Sequence, residues 1–139
     1  MLDRVIFTER ALGLTRQLRA TFGSLIFHLS GGCCEGSAPM CFRAADFRAG
    51  AADVLLGTIE DCPFYVGQAQ YAYWAWCELT VDVTPAGGDS FSLEAAEGIR
   101  FIVRSRLFSN EEAAALDAAG PPRTGPTEPP ADLTTPWTR

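Results

Sequence analysis

The sequence predicts an α+β fold, with an N-terminal helix packed on a mainly antiparallel β-sheet that forms a sandwich or partial barrel of five to six short strands. Three observations carry this reading. Apolar residues recur at helical spacing over residues 8–22, the period switches to two just after Gly23, and strand-like segments parted by glycine and proline then follow one another. At 139 residues, with 47% hydrophobic and 20% charged residues, the chain can bury one core and is too short for two.

In the helix, Thr8 is the cap, Glu9 complements the first turn, and Ala11, Leu14, Leu18 and Phe22 form the buried stripe. Arg10, Arg16, Gln17 and Arg19 take the solvated side, and Gly23 supplies the stop. Residues 24–29 then alternate, with Leu25, Phe27 and Leu29 on one face and Ser24, Ile26 and His28 on the other. The apolar run 52–59 reads as a strand covered on both faces.

Residues 63–83 read as one short and one long strand divided by Gly67. In the long strand Tyr71, Tyr73, Ala75, Cys77, Leu79, Val81 and Val83 share the core face, opposite Trp74, Trp76, Glu78, Thr80 and Asp82. Two tryptophans facing away from a core predict a second layer or an interface between copies, hence a homo-oligomer. After the loop 84–90, residues 91–94 return as a hairpin partner, and 98–105 form the last strand with Ile99, Phe101 and Val103 inward. Arg100, Arg104 and Arg106 face outward, where Glu78, Asp82 and Glu94 offer cross-strand ion pairs. Residues 111–119 are a short helix with only Leu116 as a large apolar anchor. The globular domain is thus 1–119. Six of the nine prolines crowd into 121–136, so 120–139 reads as a disordered tail in which Trp137 is the one sticky residue.

Charge and composition exclude several classes of function. A net charge of −6 and a pI near 4.7 repel nucleic acid, and the absence of lysine removes Schiff-base chemistry and a lysine phosphate loop. With neither a signal-peptide run nor a stretch of membrane-spanning length, the chain is expected in the cytoplasm, without a membrane partner. Five cysteines in a reducing compartment read as thiols or ligands rather than as a disulfide framework.

The stretch HLSGGCCEGSAPMC, residues 28–41, concentrates that chemistry: it holds the only histidine and three of the five cysteines. Gly31, Gly32 and Gly36 allow a turn whose amides point into one concavity and stabilise a thiolate. As a metal set, His28, Cys33, Cys34 and Cys41 suit zinc, ferrous iron or cuprous copper, with Glu35, Cys62 or Cys77 as substitutes for the histidine. The spacing is not that of a zinc finger. As a catalytic set, Cys33 or Cys34 is the nucleophile, its neighbour resolves the intermediate, His28 is the general base and Glu35 a proton carrier. The plain alternative is a tight glycine turn that happens to contain sulfur, with Cys77 a small core residue and Cys62 a turn residue.

The segments FHLSGGCCEGSAPMCF, DVLLGTIEDCPFYV and FSLEAAEGIRFIVRSRLF together resemble a family of small bacterial proteins of unknown function, often encoded beside aldehyde dehydrogenase genes. The likeness spans about residues 8–112. It implies a shared set of His28, Cys33, Cys34 and Cys41 with the loop glycines, leaves out Cys62 and Cys77, and implies an aldehyde dehydrogenase as partner. Two functions follow as expectations. One is a metal- or thiol-presenting accessory protein of aldehyde oxidation; the other is a thiol-based enzyme of peroxide or aldehyde chemistry.

Overall fold

The computed structural model describes residues 3–29, 37–85 and 92–126. The loop 86–91 and the tail 127–139, Trp137 included, lie outside them. Seven strands among the described residues form two mixed sheets. One has the order β1 (Val5–Phe7), β6 (Cys77–Pro85), β7 (Ile99–Leu107). The other has the order β3 (Met40–Arg43), β2 (Leu25–Leu29), β5 (Cys62–Val66), β4 (Val54–Ile59).

The helix α1 (Glu9–Phe22) begins as its sequence dictates: the Thr8 hydroxyl accepts the Ala11 amide at 3.2 Å, and Gly23, at φ 82°, donates its own amide to Arg19. Asp82 on β6 anchors that start by accepting from Thr8 Oγ1 at 2.9 Å and from Arg10 Nη2 at 2.7 Å. The Arg10 hydrogen bond holds the Asp82 carboxyl down to about 2.

Between the sheets Leu25, Phe27, Leu29, Cys41 and Phe64 meet Leu79, Val81, Phe101 and Val103, with Ala11, Leu14 and Leu18 of α1 closing the core. Phe27 is its hub, in edge contact with Phe7 and Phe101, each at 5.2 Å between ring centroids. The opposite face of the four-stranded sheet carries a smaller cluster of Ile26, Tyr65, Phe42 and Leu55. It is covered by Phe47 and Ala49 of the crossover 44–53, which joins β3 on one edge to β4 on the other.

The two sheets approach along two seams without closing into a barrel. On one, Gly57 lets β1 come close: a Cβ there would stand 3.0 Å from Val5 Cγ1. On the other, side chains span the gap between edge strands β3 and β7. The Cys41 amide donates to Ser92 Oγ at 2.7 Å, the Ser92 hydroxyl donates to Glu94 Oε1, and Glu94 Oε2 accepts the Phe101 amide at 3.2 Å. This chain caps two strand edges that would otherwise expose unpaired amides to the interior.

Several expectations give way. Residues 68–74 are a helix, α2 (Gln68–Trp74), not the start of a long strand, so Trp74 is buried in the core while Trp76 is 56% exposed. Alanine and glutamine favour a helical turn here, and winding the chain lets it bury one tryptophan rather than expose two. Residues 92–97 hold a 3-10 helix (Leu93–Glu97) where a hairpin strand was expected, because Ser92 and Glu94 are engaged in capping edges. The short strands β1 and β3 had no period to reveal them. Of the expected cross-strand ion pairs, Arg106–Glu78 forms, in register, at 3.4 Å. Asp82 turns instead to Arg10, and Glu94 is buried. The helix α3 (Asn110–Ala119) forms with a capping box between Ser109 and Glu112.

Beyond α3 the chain does not leave the surface at residue 120. Leu55 donates to Arg123 O at 2.8 Å and Gly125 donates to Asp53 O at 2.9 Å, an antiparallel bridge of Thr124 with Val54 on the free edge of β4. No helix among the described residues is long and apolar enough to cross a membrane.

Candidate functional site

Strand β2 is paired on both sides, with His28 opposite Met40 of β3 and Tyr65 of β5. It ends at Leu29, whose carbonyl accepts the Gly67 amide. The chain returns at Ser37, whose carbonyl accepts from Val103 of the other sheet at 2.9 Å, and enters β3 at Met40. Cys33 and Cys34, with Gly31, Gly32, Glu35 and Gly36, belong to the stretch between these anchors and lie outside the described residues.

Of the sequence-predicted set, His28 and Cys41 are described, and the sheet separates them. Cys41 pairs with Phe27, so both point into the core between the sheets. His28 is one residue further along β2 and points to the opposite face, its ring 5.2 Å from that of Phe47. One ion cannot take both side chains through a paired strand, so His28 and Cys41 do not converge on one point as expected. Among the described residues no group of three or more histidine, cysteine or acidic side chains is placed to hold a metal.

The environment of Cys41 agrees with its placement. It is fully buried, and burial, reinforced by nearby Glu94 and Cys62, pushes its thiol far above the ordinary range. Cys62 opens β5 rather than sitting in the preceding turn. It too is fully buried, donates weakly to Glu60 O at 3.4 Å, and is raised chiefly by burial. Cys77 is half-buried against the core, and burial raises it as well. All three are protonated structural thiols.

His28 has a partner that the sequence did not disclose. Its Nε2 lies 3.0 Å from Oδ2 of Asp53, the last residue of the crossover, and both side chains are largely buried. The carboxylate is itself oriented: Oδ2 accepts the Gly50 amide at 2.7 Å, and the Asp53 amide returns to Gly50 O at 3.1 Å. The visible signal was an acid directly before an apolar strand. Its pairing with a histidine 25 positions earlier depends on the crossover spanning the sheet. In a neutral ring, Nε2–H donated to Asp53 leaves the lone pair on Nδ1, the atom that accepts a proton or binds a metal.

The fold and the site therefore define a small α+β domain of two packed mixed sheets, with a carboxylate-oriented histidine at the root of a two-cysteine connection. Residues 14–107 match the family described as Domain of unknown function (DUF779), and the chain belongs to that family. No curated protein and no solved structure matches it.

Proposed function

We propose that this protein presents the adjacent thiols of Cys33 and Cys34 for redox or aldehyde-linked chemistry, with His28 as the proton-accepting group and Asp53 as the residue that orients it. The observation that carries this reading is the 3.0 Å contact between His28 Nε2 and Asp53 Oδ2, two residues before the strand gives way to the cysteine segment. A base held in one tautomer by a carboxylate is the arrangement that activates a nearby thiol. Cys41 is removed from the reactive set by its burial. It keeps the β3 side of the segment attached to the core instead.

As an accessory protein it would offer these thiols to an aldehyde dehydrogenase, the partner implied by the family resemblance. As an enzyme it would use Cys33 or Cys34 as its own nucleophile. Both uses demand the same reactive cysteine, which is measured first. Alkylation by iodoacetamide, mapped by mass spectrometry across pH, should label Cys33 or Cys34 already at about pH 6, where an ordinary thiol of pKa about 8.5 is inert. His28→Asn or Asp53→Asn should slow that labelling about tenfold. Labelling with the pH dependence of an ordinary thiol in all three proteins overturns the reading. Protection of both cysteines until a chelator is added replaces it with a metal site of zinc, iron or copper.

A further inference from the structure

The backbone of Asp53, the partner of His28, is hydrogen-bonded by a part of the chain that its composition marks as a tail. Asp53 lies just before β4, and β4 is the edge strand of its sheet, so its outer backbone groups need a partner. Residues 123–125 supply one. Leu55 N–H donates to Arg123 O, Gly125 N–H donates to the carbonyl of Asp53 itself, and Tyr65 Oη donates to Gly125 O at 2.9 Å. Tyr65 is the cross-strand neighbour of both His28 and Leu55, so the last bond ties the segment to the floor beneath the imidazole.

Gly125 adopts φ +84°, open to glycine and strained for other residues, and a Cβ there would face Ala51 O at 3.5 Å. The bend delivers the Gly125 amide to Asp53 and the Gly125 carbonyl to Tyr65 at once. Asp53 is thus fixed twice, through its side chain by Gly50 within the crossover and through its carbonyl by Gly125 from outside it.

We propose that residues 123–125 are a positioning strap: seated on the β4 edge, they hold Asp53 where its carboxylate meets His28, and their release loosens the pair. This rests on the thiol reading for its chemical consequence, though not for its geometry. Strand addition by so short a segment is among the least stable parts of a fold, so the strap can open while the sheets persist.

The test uses the full-length chain carrying Gly125→Pro, which deletes the N–H donated to Asp53 and forbids positive φ. Hydrogen exchange at Leu55 should accelerate at least about tenfold while Phe27 in β2 keeps its protection, and the 15N signals of the His28 ring should shift. Labelling of Cys33 and Cys34 should fall to the rate of the Asp53→Asn variant. Gly125→Ala and Tyr65→Phe, which strain the bend and delete the hydroxyl, should give the same changes in smaller measure. Faster exchange at Leu55 with unmoved His28 ring signals overturns the strap. Shifted ring signals in Gly125→Pro, together with thiol rates indifferent to His28→Asn, uphold the strap and overturn the thiol reading.

Discussion

The two faces of the four-stranded sheet differ in what they do to a reactive side chain. On the inner face Phe27, Cys41, Cys62 and Phe64 pack against the second sheet, and the thiols there are pushed up by burial into inert hydrophobes. On the outer face, one residue along the same strand, His28 is nearly as buried, yet it meets a carboxylate. Burial alone does not decide what a side chain meets. What differs is the cover: a packed apolar sheet on one side, and on the other a crossover whose turns bring a charged group and backbone amides.

The largest expected effect breaks the inner face. Phe27→Ala removes the aromatic hub and should cost about 3–5 kcal/mol in denaturant unfolding, while a comparable loss from Tyr65→Phe on the outer face would erase the contrast between the two.

Next comes the polar seam at the margin of the inner face. Glu94→Ala leaves the Phe101 amide and the Ser92 hydroxyl without their partner in a dry setting, for about 2–4 kcal/mol. Glu94→Gln keeps the shape and should be far milder at neutral pH. Burial raises the Glu94 carboxyl, so the folded state favours its protonated form. That contribution is complete below the ordinary value of 4.5 and is lost as pH rises through the raised one. Stability of Glu94→Gln relative to the parent should therefore improve from pH 4.5 to 7, measured by urea midpoints. A parallel pH profile for the two proteins would show that Glu94 is not held protonated.

The smallest effect sharpens the assignment of Cys41. Cys41→Ser places a hydroxyl among apolar side chains and should cost about 1–3 kcal/mol, more than Cys41→Ala, with labelling of Cys33 and Cys34 unchanged in both. A large change in that labelling would return Cys41 to the reactive set.

Legibility in the sequence followed locality. The helix over residues 8–22, with its Thr8 cap and Gly23 stop, was readable because its signals lie within a few positions of the bonds they make. The alternation of 24–29 correctly set Phe27 and His28 on opposite faces. It also held the reason His28 and Cys41 could not meet: Cys41 had only to pair with Phe27 to be carried inward, and nothing local announces that pairing. The same limit explains the reading of 68–76, where aromatic residues alternate as in a strand but the helix turns Tyr71 and Trp74 toward the core and leaves Tyr73 and Trp76 exposed.

By itself the sequence determined the class of fold, the first helix, the faces of the histidine strand and the concentration of thiols beside it, because periodicity and capping act over one or two turns of chain. The tertiary structure alone decided that Cys41 is core, that Asp53 is the partner of His28, and that residues 123–125 bridge to the outer edge of β4. Those outcomes depend on which strand edges meet and what crosses over them, and contacts between residues tens of positions apart leave no periodic mark on either partner.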